Sequence, residues 1–142
     1  MILKVKKLSG SEDLPTVAYA HDGDAAFDLY ASKRISIEPH ERVQVPTGIA
    51  LALSFGYAGL IWDKSGLSHK HGLRTLGGVV DASYRGEVMV GMINLSDETY
   101  VFERGNKVAQ MVIQKVEHCE IEVVDNLDDT SRGESGFGST GK

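Results

Sequence analysis

Apolar and polar residues alternate along this chain in short runs, and Gly, Pro, Asp, Asn or Ser stand between the runs. The runs cover residues 2–7, 27–31, 42–45, 48–53, 58–62, 88–93, 107–116 and 119–124. A period of two over four to ten residues, closed by turn formers, predicts β-strands, and their even spacing predicts an antiparallel sandwich or barrel. The clearest strand is 107–116. It carries Val108, Gln110, Val112, Gln114 and Val116 on one face and Ala109, Met111, Ile113 and Lys115 on the other. Both faces are partly apolar, so this strand is expected between two layers. The one helix the pattern allows is a turn or two over 65–70, too short to drive folding. The fold class is therefore all-β, a barrel or sandwich with one very short helix.

A length of 142 residues suits one domain, and such a chain can bury roughly 70% of its unfolded surface. Residues 117–129 are acidic, and from Arg132 the chain turns to Gly and hydroxyl residues without hydrophobic periodicity. The reading is a β domain over 1–130 and a mobile Gly-rich tail over 131–142 that does not pack into the core. The net charge of −5 argues against nucleic acid as partner, since phosphate backbones are held by surplus Lys and Arg. A small polyphosphate remains possible where local donors and a metal ion neutralise it. Cys119 is the single cysteine, which excludes an internal disulfide or a Cys-rich zinc site and suits a reducing compartment. The start alternates apolar and basic residues, unlike a signal peptide, and no run approaches the ~18 apolar residues of a membrane span. A cytoplasmic protein without a membrane partner is expected.

Four segments combine residue types that chemistry uses. In the tail, Gly136-Phe137-Gly138-Ser139-Thr140-Gly141 fits G-x-G-x-x-G, yet a dinucleotide fold needs a strand before that motif and a helix after it. A phosphate cradle with Arg132 as clamp and Phe137 closing over a flat base uses the same residues better. In the second segment, Gly77 to Glu87, Asp81 and Tyr84 lie between two glycine-bounded apolar stretches. Either Asp81 and Ser83 stabilise a turn, or Asp81 is a general base that deprotonates a water for attack on phosphorus. Around Asp63-Lys64-Ser65-Gly66, Ser65 can cap the short helix, whose first turn offers N–H groups to an anion. Asp28, inside an apolar strand start, wants a partner such as a hydrated Mg²⁺ or an Arg, with a purely structural salt bridge as the other account. His69 and His71 lack a third ligand at zinc spacing.

In order along the chain, these segments resemble the five motifs of the trimeric dUTPase family. The first motif is Gly23-Asp24-Ala25-Ala26-Phe27-Asp28-Leu29, the second Lys64-Ser65-Gly66-Leu67, and the third Gly78-Val79-Val80-Asp81 through Tyr84-Arg85-Gly86-Glu87. The fourth is similar to Arg104-Gly105-Asn106-Lys107-Val108-Ala109-Gln110, and the fifth to Arg132-Gly133 with Gly136 to Gly141. Departures from the commonest pattern are Asp63, Lys64, Ser83, Asn106, Lys107 and Ser135, and Lys64 keeps a charge while losing the bidentate geometry of Arg.

The resemblance implies a jelly-roll fold, a homotrimer with sites shared between subunits, and hydrolysis of dUTP to dUMP and pyrophosphate with Mg²⁺. By position, it implies that Asp81 activates the water that attacks the α-phosphorus and that Tyr84 packs on the deoxyribose. Backbone groups from Gly78 through Val80 to Asp81 would read the uracil edge. Lys64, Ser65, Gly66 and Gln110 would hold phosphate oxygens, and Asp28 would meet Mg²⁺ through its water shell. From a neighbouring subunit's tail, Arg132, Gly138, Ser139 and Thr140 would close on the phosphates and Phe137 on the uracil. The alternatives are a dCTP deaminase of the same superfamily, which uses a catalytic Glu near this hairpin, and a non-catalytic dUTP-sensing regulator.

Overall fold

A computed structural model of the chain describes residues 1–134. Within them the elements run β1 (Lys4–Lys7), β2 (Ala26–Tyr30), β3 (Ile35–Ile37), β4 (Arg42–Ala52), β5 (Tyr57–Trp62), α1 (Ser65–His71), β6 (Leu73–Leu76), β7 (Val79–Val80), β8 (Glu87–Asn94), β9 (Tyr100–Phe102) and β10 (Lys107–Lys115). One sheet has the order β1-β4-β8-β6, a second β2-β10-β5-β7, and β3 pairs with β9 alone. All pairings are antiparallel. Among the described residues no sheet closes on itself, so the architecture is a jelly-roll-like sandwich rather than a closed barrel.

The period of two explains which face each strand buries. In β8, Val88, Val90, Met92 and Asn94 point inward and Glu87, Met89, Gly91 and Ile93 are half-exposed. From the facing sheet, Phe27 and Leu29 of β2 and Ala109 and Met111 of β10 meet them in a single apolar core. Each large side chain buried this fully stabilises the fold by about 1.5–3 kcal/mol.

Pro46 lies inside β4, where the sequence pattern breaks into two runs. The strand nevertheless continues, because its register against β8 shifts between Pro46 and Ala50 and the bulge takes up the residue that cannot donate. The freed backbone finds partners: Gly48 donates its N–H to Glu87 Oε1 (2.7 Å), Thr47 Oγ1 donates to the Val88 carbonyl (2.6 Å), and the Pro46 carbonyl accepts from Ser32 N–H (2.8 Å). Gly48 has φ of 69°, and a Cβ there would lie 2.1 Å from Ser11 Oγ, so only glycine fits.

Several expectations need correction. Residues 119–124 form no strand; Ile121 and Val123 are 89% and 94% exposed, so their alternation finds no partner among the described residues. Strands β3, β6, β7 and β9, of two to four residues, were too short for their period to register. Helix α1 forms where expected, but Lys64 occupies its N-cap position without a side-chain cap, and Ser65 is the first helical residue. At its other end Gly72, in the left-handed region with φ of 65°, donates to Ser68. No described helix is long and apolar enough to cross a membrane.

Candidate functional site

Two separate clefts collect the residues singled out by sequence. The larger, of about 480 Å³, opens on the outer face of the β2-β10-β5 sheet. Register places its walls: Gln110 of β10 lies opposite both Asp28 of β2 and Trp62 of β5, so the three strands present side chains to one surface. The β5–α1 junction adds Asp63 and Lys64.

Asp28 is 8% exposed and its two oxygens are both taken. Oδ1 accepts from Lys64 Nζ at 2.5 Å and Oδ2 from Lys107 Nζ at 2.6 Å. Burial works to raise the Asp28 carboxyl, but the hydrogen bonds from Lys107 and Lys64 together outweigh it and hold the group below its ordinary value. The same contact raises the Lys107 ammonium. The carboxylate is thus ionised at neutral pH, with two ammonium groups gathered around it.

Asp63 anchors the rim. Its Oδ1 accepts from the Thr75 N–H (2.6 Å) and hydroxyl (2.8 Å), and its Oδ2 pairs with Arg74 Nε (2.5 Å), which ties the end of β5 to β6 in the other sheet. Its backbone carbonyl accepts from Gln110 Nε2 at 2.7 Å. That bond fixes which end of the amide is nitrogen and leaves its second N–H for a ligand. Trp62, Arg74 and Thr75 were not singled out by sequence; a Trp 57% exposed beside a charged cleft is the signal that was available. Ser65 and Gly66 are exposed at the start of α1, next to this cleft.

The smaller cleft, about 220 Å³, lies on the hairpin between β7 and β8 and is lined by Val80, Asp81, Tyr84 and Glu87. Tyr84 N–H donates to the Asp81 carbonyl (3.1 Å), and its hydroxyl donates to the Glu87 carbonyl (2.9 Å), which folds the ring across its own hairpin. Glycine at 86 leaves room for that ring, since a Cβ there would stand 2.3 Å from the Tyr84 hydroxyl. The Asp81 side chain is exposed and makes no hydrogen bond or ion pair among the described residues. Gly78, with φ of 109°, accepts from Ile61 N–H at 2.7 Å and seats the hairpin against β5.

The clefts share no lining residue. The described chain therefore brings Asp28, Lys64 and Gln110 together and leaves Asp81, Tyr84 and Val80 elsewhere. Arg132 lies at the exposed end of the described residues, and Phe137, Gly138, Ser139 and Thr140 fall outside them. No group of three or more His, Cys, Asp or Glu among the described residues could hold a metal ion. The donor set fits a metal that enters on an anionic ligand, and not one fixed by the protein alone.

A model of the dUTPase family matches residues 12–141. The chain is 48% identical over 132 residues to the deoxyuridine 5′-triphosphate nucleotidohydrolase of Thermobifida fusca, covering 91% of this chain and 74% of that protein. It is 46% identical over 143 residues to the enzyme of the same name from Corynebacterium glutamicum, covering 99% and 95%. Among solved structures, a variant dUTPase of Staphylococcus bacteriophage 80alpha with dUpNHpp superposes with a TM-score of 0.91 at 27% identity over 99% of each chain. A variant dUTPase from phage phi11 of S. aureus, described with a structural Mg(II) ion, gives 0.83 at 25% identity over 91% of this chain and all of that one. Five motifs in order, the same open β-sandwich and this degree of identity along almost the whole length place the chain in the dUTPase family.

Proposed function

We propose that this protein is a dUTP diphosphatase and that its two clefts are the two halves of one site. The observation that carries the reading is the pairing of a cationic cleft, with Lys64, Lys107 and Gln110, and a free carboxylate, Asp81, on a hairpin held rigid by Gly78 and Tyr84, in a chain whose relatives are named for dUTP hydrolysis.

In this reading Asp81 accepts a proton from a water as the water oxygen bonds to the α-phosphorus. The bond from that phosphorus to the bridging oxygen breaks, and pyrophosphate leaves with dUMP remaining. Gln110 and Lys64 hold phosphate oxygens in line with the attacking water, and Ser65 and Gly66 lie beside them at the start of α1. Tyr84 packs on the deoxyribose, and backbone groups of Gly78, Val80 and Asp81 read the uracil edge, where a tight hairpin leaves no space for a 5-methyl group. When bound, Mg²⁺ would supply positive charge that offsets the charge on the triphosphate, and Asp28 is the residue that would meet its water shell.

As the family resemblance implies, the working enzyme is a homotrimer whose sites lie between subunits, an assembly that would bring together two clefts that lie apart in one chain. Arg132 and the tail beyond it, with Phe137, Gly138, Ser139 and Thr140, complete a neighbour's site. The β domain over 1–130 and the tail over 131–142 then have separate tasks, and the setting is the cytoplasm.

Purified protein with Mg²⁺ should release pyrophosphate from dUTP and far less from dTTP, dCTP or UTP. Asp81→Asn should keep nucleotide binding while turnover falls by about 10²–10⁴, the range for loss of a general base. No release from dUTP ends the reading, ammonia from dCTP replaces it with a deaminase, and full activity of Asp81→Asn removes Asp81 as base. A solution mass three times that of the chain is the outcome the trimer requires.

A further inference from the structure

The hairpin that carries Asp81 and Tyr84 joins the two sheets: it leaves β7, which pairs with β5, and enters β8, which pairs with β4. Within the turn the contacts are local. Tyr84 N–H donates to the Asp81 carbonyl, and one guanidinium nitrogen of Arg85 donates to the carbonyls of Ala82 (2.6 Å) and Tyr84 (2.7 Å). These bonds shape the turn without fixing where it stands against the sheets. Its position is set at the two ends, and each end serves a different residue. On the side of Asp81, Ile61 N–H of β5 holds the Gly78 carbonyl. On the side of Tyr84 the anchor is Glu87.

Glu87 opens β8 and lines the same small cleft as Asp81 and Tyr84. Its backbone carbonyl accepts the Tyr84 hydroxyl at 2.9 Å, the one hydrogen bond of that hydroxyl among the described residues. The sheet alone holds Glu87 weakly, because its pair with Ala50 is cut off from the next pair, Met89 with Pro46, by the bulge of β4. Two side chains bridge the gap. Thr47 Oγ1 donates to the Val88 carbonyl in the buried interior, and one residue nearer the hairpin Glu87 Oε1 accepts the Gly48 N–H at 2.7 Å. A carboxylate acceptor makes that second bond the stronger kind. Gly48 is itself held, since its carbonyl accepts from Leu8 N–H (2.8 Å) and Ser11 and Ser32 fill the space beside it. The Glu87 carbonyl, and with it the Tyr84 ring, is thus tied to a fixed point in β4.

We propose that Glu87 is a positioning residue that sets Tyr84 as the wall against the sugar and so governs rejection of a 2′-hydroxyl, while Asp81 keeps its place through Gly78. The proposal deepens the reading of the chain as a dUTP diphosphatase and rests on it. A flat ring held at a fixed distance leaves no space for one more oxygen on the sugar, and a ring free to swing away does. Cutting the tie should cost discrimination more than rate.

The test measures kcat and KM for pyrophosphate release from dUTP and from UTP, with Mg²⁺, in the wild type, Glu87→Ala, Glu87→Gln, Thr47→Val and Tyr84→Phe. Glu87→Ala should lower the dUTP-to-UTP ratio of kcat/KM by about fivefold or more, with kcat for dUTP within about threefold of wild type. Glu87→Gln keeps an acceptor for the Gly48 N–H and should hold that ratio within about twofold. Thr47→Val breaks the neighbouring bridge and should lower Tm while leaving the ratio unchanged. Tyr84→Phe cuts the other end of the same tie and should match Glu87→Ala, and the two changes together should lose little more than either alone. The proposal is overturned if Glu87→Ala keeps the wild-type ratio, if Thr47→Val or Glu87→Gln loses as much of it, or if the losses multiply in the double variant. A fall in kcat of about a hundredfold in Glu87→Ala overturns it too, as the mark of a group that acts in the chemistry. Tyr84 is exposed, so Tyr84→Phe reports even if Glu87→Ala does not fold, and a wild-type ratio there is equally fatal. A wild type that turns over dUTP beside such a result ends this inference alone, whereas a wild type that does not turn it over ends the functional reading.

Discussion

Gly78→Ala tests whether the hairpin that carries Asp81 is seated by backbone contact. At φ of 109° an L-residue is strained, by about 1–3 kcal/mol. Its Cβ would also stand 2.9 Å from the Ile61 carbonyl oxygen, a backbone atom that cannot swing aside. Overpacking of this kind adds about 1–3 kcal/mol. Gly77→Ala is the matched control: φ is 68°, yet nothing lies within 4 Å of the new Cβ, so only the cost of the left-handed region, about 1–2 kcal/mol, applies. Both changes restrict the unfolded chain alike, so that effect cancels in the comparison. At about 3–4 °C per kcal/mol for a chain of this size, Gly78→Ala should lower Tm by roughly 6–24 °C and Gly77→Ala by roughly 3–8 °C. The push on Ile61 also moves the strand end that leads to Asp63, so kcat should fall more in Gly78→Ala. Thermal unfolding by circular dichroism at one fixed protein concentration, followed by pyrophosphate release, reads both. Equal Tm values for the two variants would refute the steric argument.

Asn94 is fully buried; its Nδ2 donates to the carbonyls of Ile37 and Glu98, and its Oδ1 accepts from the Ser96 N–H and hydroxyl. Asn94→Asp sets a buried carboxylate oxygen against two carbonyls, and urea unfolding at pH 7 should show a loss of about 3 kcal/mol or more; a change under about 0.5 kcal/mol contradicts the assigned hydrogen bonds. The folded Asp28 carboxyl lies below its ordinary 3.8, so its contribution is complete above pH 3.8 and is lost as pH falls through the lower folded value. The stability gap between wild type and Asp28→Asn should therefore stay level down to about pH 5 and close only below pH 3.8, and a gap that closes near pH 6 would assign it to another group. Asp63→Ala removes the anchor of the β5–α1 junction and should raise KM for dUTP more than it lowers kcat; Asp63→Asn, which keeps an acceptor for Thr75, should restore most of it. If the Ala and Asn variants match the wild type in KM, Asp63 does not position Lys64 and Gln110.

The strands that sequence made legible are those long enough to repeat their period. Strands β8 and β10 show three or four alternations, and each buries one apolar face. Strand β7 has two residues, Val79 and Val80, and exists because Gly59 and Leu60 of β5 pair with it. A partner supplied by tertiary structure leaves no periodic trace in the chain. The reverse holds for residues 119–124, whose alternation is clear and which have no strand partner among the described residues. Local pattern states that a segment can be a strand, and only a neighbour makes it one.

The site divides along the same line. Asp81 and Tyr84 are three residues apart on one hairpin, so their proximity is read directly from spacing. The lysine clasp cannot be read so, and the reason is parity. By strict alternation Lys107 shares a face with Ala109 and Met111, which are fully buried, and Val108 shares the cleft face with Gln110. The register of β10 against β2 shifts between Lys107 and Ala109, and the extra residue reverses the assignment for everything before it. Val108 turns into the core beside Ala109, and Lys107 comes out on the side of Asp28 and Gln110, with its side chain 49% exposed. One inserted residue thus does two things that alternation forbids together: it packs two consecutive apolar side chains inward and turns a lysine from a core position to the cleft wall. Deleting Val108 would restore strict alternation with Lys107 still opposite Tyr30 and on the face of Gln110, so the clasp on Asp28 should survive while the core loses one buried side chain; loss of the clasp in that deletion would refute the parity argument.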